Sequence, residues 1–225
     1  MKYKAVVFDL FETLVTEWGH DKYTKKKMCA DLGLRVEHFS VHWESLHEKQ
    51  YRGGITFADS IRYAGAQCGM KIPEETIRYV QKRRMETKTA CFAPEYLHPE
   101  ILSMLTSLRE IGIRTVILSN CSEEEVETVR QSILAPLFDG IILSHETGLC
   151  KPEPAIYRLA AETVGVQPED CLFIGDGGSR ELYGAAETGM QACRAMWYIR
   201  QMPGEIREMP PFPLLESPAE VLTVL

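Results

Sequence analysis

Four short segments of the sequence carry the acidic, hydroxyl and cationic side chains that chemistry on a phosphoryl group uses. Asp9 and Ser119 each end an apolar run, Lys151 precedes a proline, and Asp176 stands between two glycines. A carboxylate can attack a phosphoryl group and form an acyl-phosphate, which divides one difficult displacement into two easier steps. Hydroxyl and ammonium donors stabilise the phosphoryl oxygens, and two carboxylates suit a Mg²⁺ ion. The residue types therefore indicate nucleophilic catalysis, provided that the fold brings the four segments together.

Short apolar runs next to these segments have the composition of buried strands. The runs are residues 4–9, 114–118, 139–143 and 170–174, with a weaker fifth run at 190–197. Each is too short for a core helix, and helical patterns alternate with them. We therefore predict an α/β fold with a doubly wound parallel sheet. Because ligands bind at the carboxyl ends of the strands in such sheets, the four segments are expected to meet in one crevice.

Sequence signals also place several helices between the strands. Apolar side chains lie on one face of a helix over residues 98–111, and a capping-box spacing that starts at Ser122 predicts a helix over 123–132. Pro152 suits the first turn of a helix that ends before Gly165. We predict that the tail is an irregular surface strap, because it is rich in proline. Its prolines are Pro203, Pro210, Pro211, Pro213 and Pro218.

One long stretch interrupts the alternation of strands and helices. Residues 16–92 show helical periods separated by glycines and no convincing strand, and about four helices fit this length. We therefore predict two parts: residues 1–15 and 93–225 form a catalytic core, and residues 16–92 form an inserted all-helical cap. A chain of 225 residues is long enough to bury a core for both parts.

Composition and charge argue against several classes of protein. A formal net charge of -7 does not suit nucleic-acid binding, because phosphate backbones need clustered basic residues. No apolar stretch approaches the roughly 20 residues of a membrane-spanning helix, and the first residues do not resemble a signal peptide. Seven cysteines without a CxxC pair are typical of reduced thiols in the cytoplasm. We expect a cytoplasmic protein with a small-molecule substrate; its oligomeric state stays open.

The ordered set of motifs resembles that of the haloacid dehalogenase-like hydrolase superfamily over nearly the whole chain. Residues 8–14 (FDLFETL) are similar to its first motif, Ser119-Asn120 to its second, residues 151–154 (KPEP) to its third and residues 175–185 to its fourth. Each motif alone is weak evidence, whereas the ordered set is strong. The resemblance implies a Rossmann-like core, and the helical insert is similar to the C1 cap that covers the active site in that superfamily.

The resemblance also implies roles for individual residues. Asp9 is the implied nucleophile. Asp9, the backbone carbonyl of Phe11 and Asp176 are the implied ligands of Mg²⁺. The other implied site residues are the catalytic Ser119 and Lys151, the substrate-binding Thr13 and Asn120, and Gly177 and Glu181 of the fourth motif, of which Glu181 is a candidate direct or water-mediated metal partner.

Residue 11 departs from the pattern of the superfamily's phosphatases. Those enzymes usually carry a second aspartate two residues after the nucleophile, as general acid and base, and Phe11 has no proton to give. Glu12 is the neighbouring carboxylic acid and a candidate substitute, although glycine usually occupies its position. The resemblance also includes 2-haloacid dehalogenases, which often have an aromatic residue here. A halide leaves without a proton, and that chemistry needs no Mg²⁺.

The sequence leaves several hypotheses open. The favoured one is a Mg²⁺-dependent phosphatase that acts on a small phosphorylated metabolite through an aspartyl-phosphate on Asp9, because Asp176 has no evident use in a metal-free dehalogenase. A metal-free 2-haloacid dehalogenase is the main alternative, and a weakly catalytic binding or regulatory protein is another. Phosphonatase-like chemistry requires a lysine from the cap. The candidates are Lys49, Lys71, Lys82 and Lys88.

Overall fold

A computed structural model describes residues 2–201 and 211–225, which contain a six-stranded sheet. Its strands are β1 (Ala5–Phe8), β2 (Arg114–Ser119), β3 (Gly140–Leu143), β4 (Cys171–Gly175), β5 (Gln191–Ala195) and β6 (Leu214–Leu215). They pair in the order β3-β2-β1-β4-β5-β6, and every pairing is parallel. The doubly wound parallel sheet is therefore confirmed, together with all five predicted strands.

The central strand sends its side chains alternately into two layers of core. Val6 and Phe8 belong to one hydrophobic cluster, Ala5 and Val7 belong to the other, and all four are fully buried. Because successive side chains of a strand point to opposite faces, a strand covered on both faces is apolar at every position. Burial of each valine or phenylalanine side chain contributes roughly 1.5–3 kcal/mol. This explains why β1 reads as a continuous apolar run.

Helices cover both faces of the sheet. The helices that follow residue 92 are α6 (Ile101–Glu110), α7 (Glu123–Arg130), α8 (Ser144–Thr147), α9 (Pro154–Thr163) and α10 (Glu181–Glu187). Apolar side chains of α6 and α7 belong to the same cluster as Phe8, and those of α9 and α10 pack with Val7. The capping box at Ser122 is present, and its backbone N–H donates to Glu125 Oε2 at 2.8 Å. These helices hold the strand ends in fixed positions.

Two details of the sequence analysis are wrong. Pro152 lies outside a helix: α9 begins at Pro154, and the Lys151-Pro152 peptide bond is cis. The tail is not irregular throughout, since Leu214–Leu215 form β6 beside β5 and Pro218–Thr223 form a 3₁₀ helix that contacts α6. A two-residue strand gives no periodic signal, which is why the sequence analysis missed it. Pro203 and Pro210 lie outside the described residues.

The segment of residues 16–92, between β1 and α6, is all-helical, as predicted. It contains α1 (Lys25–Leu32), α2 (Val36–Glu44), α3 (His47–Tyr51), α4 (Phe57–Gln67) and α5 (Glu74–Ala90). The expected count of about four helices omits α3, whose five residues are too few for a periodic pattern. These helices enclose a hydrophobic cluster of their own around Phe39, Trp43 and Ile61. None of the described helices is long and apolar enough to cross a membrane.

Candidate active site

The switch point of the sheet lies between β1 and β4, where the order of strands along the chain reverses. Asp9 directly follows β1, and Asp176 directly follows β4. The backbone N–H of Asp9 donates to the carbonyl oxygen of Ile174 at 2.8 Å, which extends the pairing of the two strands up to the site. Crevices at such a switch point are the usual ligand sites of open parallel sheets. The predicted crevice is present.

A cavity of about 200 Å³ occupies this crevice. The core contributes most of its wall: Asp9, Phe11, Ser119, Asn120, Glu125, Lys151, Asp176, Gly178, Ser179 and Glu181. The cap contributes Tyr51 from α3 together with Arg84 and Lys88 from α5. Pockets for drug-sized ligands are commonly about 300–1,000 Å³, so this cavity suits a small substrate. Three predicted site residues, Glu12, Thr13 and Gly177, are absent from its wall.

The floor of the cavity combines a lysine with three carboxylates. Lys151 Nζ contacts Asp9 Oδ1 and lies 2.5 Å from Glu181 Oε2. The exposed fractions of the Lys151, Asp9 and Glu181 side chains are only 4%, 9% and 2%. Burial alone would lower the pKa of Lys151, but Asp9 and Glu181 together raise it, so the ammonium stays charged. The predicted pairing of Lys151 with Asp9 is therefore present.

The third carboxylate, Asp176, completes an acidic cluster. Oxygen atoms of Asp9, Asp176 and Glu181 lie within 4.8 Å of one another. Burial raises the pKa of Asp176 and of Glu181, and the charge of Asp9 raises both further. These directions indicate negative charge that Lys151 does not fully offset. Closely spaced oxygen ligands of this kind fit Mg²⁺, which would offset that charge.

Neighbouring groups fix the orientation of this cluster. Thr13 Oγ1 donates to Asp9 Oδ2 at 3.1 Å, so Thr13 orients the Asp9 carboxylate and does not line the cavity. The backbone N–H of Gly178 donates to Asp176 Oδ1 at 2.9 Å, and that of Gly177 donates to Glu181 Oε1 at 3.1 Å. Gly177 has a φ of 96°, which favours glycine. The loop after β4 thus positions both acids.

Gly175 leaves the space that the Glu181 carboxylate occupies. A Cβ at this position would lie 2.2 Å from Glu181 Oε1, which is far shorter than any van der Waals contact. Glu181 is the first residue of α10 and reaches back over Gly175 toward Lys151. The glycine of the fourth motif is therefore required by the packing of a specific carboxylate.

The Glu12 carboxylate points away from the cavity. Residue 12 has a φ of 64°, and its side chain accepts hydrogen bonds from Thr16 Oγ1 at 2.5 Å and from the backbone N–H of Glu17 at 3.2 Å. The left-handed backbone favours glycine, and the two local hydrogen bonds hold the longer side chain there. Burial raises the pKa of Glu12. The structure does not bring this carboxyl group to the place of the missing acid.

Four residues of the cavity wall had no role in the sequence analysis of the motifs: Tyr51, Arg84, Lys88 and Glu125. Lys88 Nζ lies 3.7 Å from the centroid of the Phe11 ring, and 2.9 Å from Glu125 Oε1. Arg84 pairs with the same oxygen of Glu125 at 3.1 Å. Arg84 and Lys88 are four residues apart and share one face of α5. That spacing is visible in the sequence, but only the fold shows that this face meets the catalytic crevice.

Lys88 also bears on phosphonatase-like chemistry. Of the four candidate lysines it is the one that lines the cavity. A lysine that forms a Schiff base must lose its proton. Burial alone would lower the pKa of Lys88, but Glu125 and Glu17 raise it above its ordinary value. The ammonium form is therefore stabilised, which disfavours Schiff-base chemistry.

The strand order defines a Rossmann-like α/β fold with a helical insertion and an acidic crevice at the switch point of the sheet. The sequence model of the haloacid dehalogenase-like hydrolase family matches residues 3–189, so the chain belongs to that family. Curated relatives include both phosphatases and dehalogenases. A glyceraldehyde 3-phosphate phosphatase from Methanopyrus kandleri is 29% identical over 143 residues, which cover 62% of this chain and 60% of that protein.

Other similar proteins match over a greater length. A haloacetate dehalogenase from Moraxella sp. is 27% identical over 209 residues, which cover 85% of this chain and 85% of that protein. Among solved structures, an L-2-haloacid dehalogenase is similar with a TM-score of 0.65 and 24% identity, over 100% of this chain and 99% of that chain. The structural likeness establishes the fold, and the family contains both kinds of hydrolase.

Proposed function

We propose that the protein is a Mg²⁺-dependent phosphatase that acts on a small phosphorylated metabolite through an aspartyl-phosphate on Asp9. The acidic cluster of Asp9, Asp176 and Glu181 carries this proposal. Uncompensated carboxylates repel an anionic substrate, and a divalent cation removes that repulsion. A metal-free dehalogenase that attacks an anionic haloacid gains nothing from two further carboxylates beside its nucleophile. The charge of the site therefore favours the phosphatase.

The residues of the core divide the work of phosphoryl transfer. Asp9 attacks phosphorus, Lys151 pairs with one carboxylate oxygen of Asp9, and the Thr13 hydroxyl holds its second oxygen in place. Ser119 lies in the cavity wall, where its hydroxyl can donate to a phosphoryl oxygen. Asp9, the carbonyl of Phe11 and Asp176 would hold Mg²⁺, which supplies positive charge to the phosphoryl oxygens when bound.

Glu181 and Asn120 position the residues that contact the phosphoryl group. Glu181 pairs with Lys151 and accepts from the N–H of Gly177, so we assign it to the positioning of these groups and not to direct metal binding. Asn120 lines the cavity, but its side-chain amide binds the backbone of Lys151. We assign Asn120 mainly to positioning the lysine. Gly177 contributes its backbone.

We assign residues 16–92 to a C1-type cap. Its own hydrophobic cluster and its contribution of Tyr51, Arg84 and Lys88 to the cavity wall support this division. Contact between cap and core excludes water from the reacting centre. A cavity of about 200 Å³ has room for a phosphate ester of a few carbon atoms, such as the substrate class named for the Methanopyrus relative.

Reduced thiols are consistent with a cytoplasmic location, which forms part of the proposal. All seven cysteines are free, and none of them lines the cavity. Burial raises the pKa of the Cys121 thiol to about 12, which suppresses the reactive thiolate. The cysteines therefore do not compete with Asp9 as the nucleophile of this site.

A dehalogenase remains the second candidate because of Phe11. Its ring lies in the cavity wall and packs against Phe92 with a centroid distance of 6.5 Å. The side chain offers no proton to a leaving group, and a halide needs none. The relative from Moraxella, whose alignment covers 85% of each protein, is named as a haloacetate dehalogenase.

Hydrolysis assays with and without metal separate the candidates. The phosphatase should release phosphate from p-nitrophenyl phosphate and from glyceraldehyde 3-phosphate, and EDTA should abolish this release. Asp9→Asn should be inactive, since an amide does not form the acyl-phosphate. Glu12→Gln is the matched control in the same motif and should keep most of the activity, because the Glu12 side chain does not line the cavity.

The opposite results identify the alternatives. Chloride release from 2-chloropropionate that EDTA does not change would establish the dehalogenase and overturn the phosphatase. Loss of phosphate release in Glu12→Gln as complete as in Asp9→Asn would show that Glu12 takes part in catalysis. A folded protein without either activity would support a binding or regulatory role.

A further inference from the structure

We infer that Lys88 is a further catalytic residue of this site, and that its ammonium group stabilises the leaving-group oxygen in place of the acid missing at residue 11. The inference rests on the proposed phosphatase function. It concerns a residue of the cap, 79 positions after the nucleophile in the sequence, which no motif of the core includes.

The position of Lys88 relative to Phe11 is the first support. Residue 11 is the position from which a second carboxylic acid would reach the leaving group, and Phe11 fills it with an aromatic ring. The Nζ atom of Lys88 lies 3.7 Å from the centroid of that ring. Phe11 and Lys88 line the same cavity as Asp9. The cap thus places a hydrogen-bond donor over the side chain that lacks one.

The surroundings of Lys88 keep it charged and fixed. Its side chain is 12% exposed, and its Nζ atom lies 2.9 Å from Glu125 Oε1 and 3.1 Å from Glu17 Oε1. A buried cation is stable only when opposite charges compensate it. The second oxygen of Glu125 accepts from the N–H and hydroxyl groups of Ser122, so Glu125 is itself rigidly held by the core.

The Phe11 ring contributes to this arrangement. An ammonium group over an aromatic face gains roughly 0.5–2 kcal/mol from the negative face of the ring. An aspartate at residue 11 would instead form a competing ion pair with Lys88. Phenylalanine therefore suits a site in which the ammonium group of Lys88 has to face the cavity.

The chemical step explains what the cation does. A carboxylate oxygen of Asp9 forms a bond to phosphorus while the bond from phosphorus to the ester oxygen breaks. The electron pair of the broken bond goes to the ester oxygen, whose negative charge Lys88 stabilises through an N–H donor, and water supplies the proton that completes the alcohol. Fixed donors at a developing oxyanion are typically worth about 10²–10³ in rate. An alkoxide needs this help more than a nitrophenolate does, because a nitrophenolate spreads its charge over the ring.

The test is whether the loss of kcat/KM in Lys88 variants depends on the leaving group of the ester. For Lys88→Met we expect kcat/KM for glycerol 3-phosphate to fall by about 10²–10³, and kcat/KM for p-nitrophenyl phosphate to fall by less than about tenfold. Lys88→Arg keeps a cation and should restore part of the activity on glycerol 3-phosphate. Lys82→Met is the matched control, because Lys82 lies on the same helix with 77% of its side chain exposed. It should leave both values unchanged.

Each other outcome decides against the inference. Equal losses on the two esters would show that Lys88 only joins the cap to the core, and no loss on either would show that it has no role. If Lys88→Met does not fold, Lys88→Gln carries the same comparison, since its amide can still donate to the two glutamates. If the wild type releases phosphate, but Lys88→Met has the same ratio of the two kcat/KM values as the wild type, only the role of Lys88 is overturned. Absence of phosphate release from both esters overturns the proposed function as well.

Discussion

The side-chain amide of Asn120 binds both backbone polar groups of Lys151. Asn120 Nδ2 donates to the Lys151 carbonyl oxygen at 3.0 Å, and the Lys151 N–H donates to Asn120 Oδ1 at 2.9 Å. Asn120 follows β2, whereas Lys151 lies in the loop before α9. This pair of hydrogen bonds joins the carboxyl end of β2 to that loop and fixes the position of the Lys151 ammonium group beside Asp9.

Asn120→Ala should therefore lower both stability and turnover. A buried group that loses its partner costs about 1–3 kcal/mol, and a displaced Lys151 no longer holds the Asp9 carboxylate in position. We expect a lower Tm and a kcat reduced by about tenfold or more. Gln131→Ala, at the C-cap of α7, removes an amide whose side chain is exposed and bonds only Glu127 among the described contacts, and it should change neither value. An unchanged kcat in Asn120→Ala would contradict the positioning role.

Mg²⁺ should stabilise the folded protein through Asp176. A ligand present at about 100 times its Kd stabilises the native state by roughly 2.7 kcal/mol, so thermal unfolding should shift to higher temperature when Mg²⁺ is added. Asp176→Asn removes one anionic ligand and should abolish most of that shift. The exposed Asp21 serves as control, because Asp21→Asn leaves the site intact. A Tm that does not respond to Mg²⁺ in wild type would contradict the metal site.

Phe11→Asp should raise turnover on alkyl phosphates. The substitution supplies a carboxylic acid at the position two residues after the nucleophile, and general acid catalysis typically contributes about 10²–10⁴ in rate. We expect an increase of about tenfold, since the new carboxylate also pairs with Lys88 and weakens its contribution. Phe11→Asn has a similar shape but no acid, and it should show no increase. Equal effects of the two variants would exclude proton transfer as the cause.

His47 should make the stability of the protein depend on pH. Burial lowers the pKa of His47 below its usual value of about 6.5. As the pH falls through about 6.5, the unfolded chain takes up a proton before the native protein does, so the free energy of unfolding decreases. Urea titrations at about pH 7.5 and pH 5.5 should show this loss. His47→Gln should reduce the difference between the two pH values, whereas His38→Gln, at an exposed position, should preserve it.

Most of the sheet could be predicted because local chemistry determines it. Buried parallel strands are apolar at every position, as in the run that ends at Phe8, and this signal depends only on the residues themselves. The capping box at Ser122 is equally local and is confirmed. Elements without a local signal were missed: α3 has five residues and β6 has two.

The charged residues of the core motifs could be predicted from the sequence, whereas the residues of the helical insert that line the cavity could not. Asp9 and Asp176 each directly follow a strand, and parallel strands end at the same edge of a sheet, so chain order alone predicts that they meet. Lys151 lies farther along the chain from its strand, in the loop between α8 and α9. No such rule connects the face of α5 that carries Lys88 with Phe11. That contact depends on how the helical insert rests on the core.

The sequence by itself determined the fold class, the nucleophile candidate and the absence of an acid at residue 11. Strand periodicity and residue identity are properties of short segments, and they need no knowledge of distant contacts. The tertiary structure decided the orientation of Glu12 toward Thr16, the pairing of Lys151 with Glu181, and the approach of Lys88 to Phe11. These contacts depend on the backbone conformation and on the packing of the helical insert against the sheet-containing part, and both exist only in the folded chain.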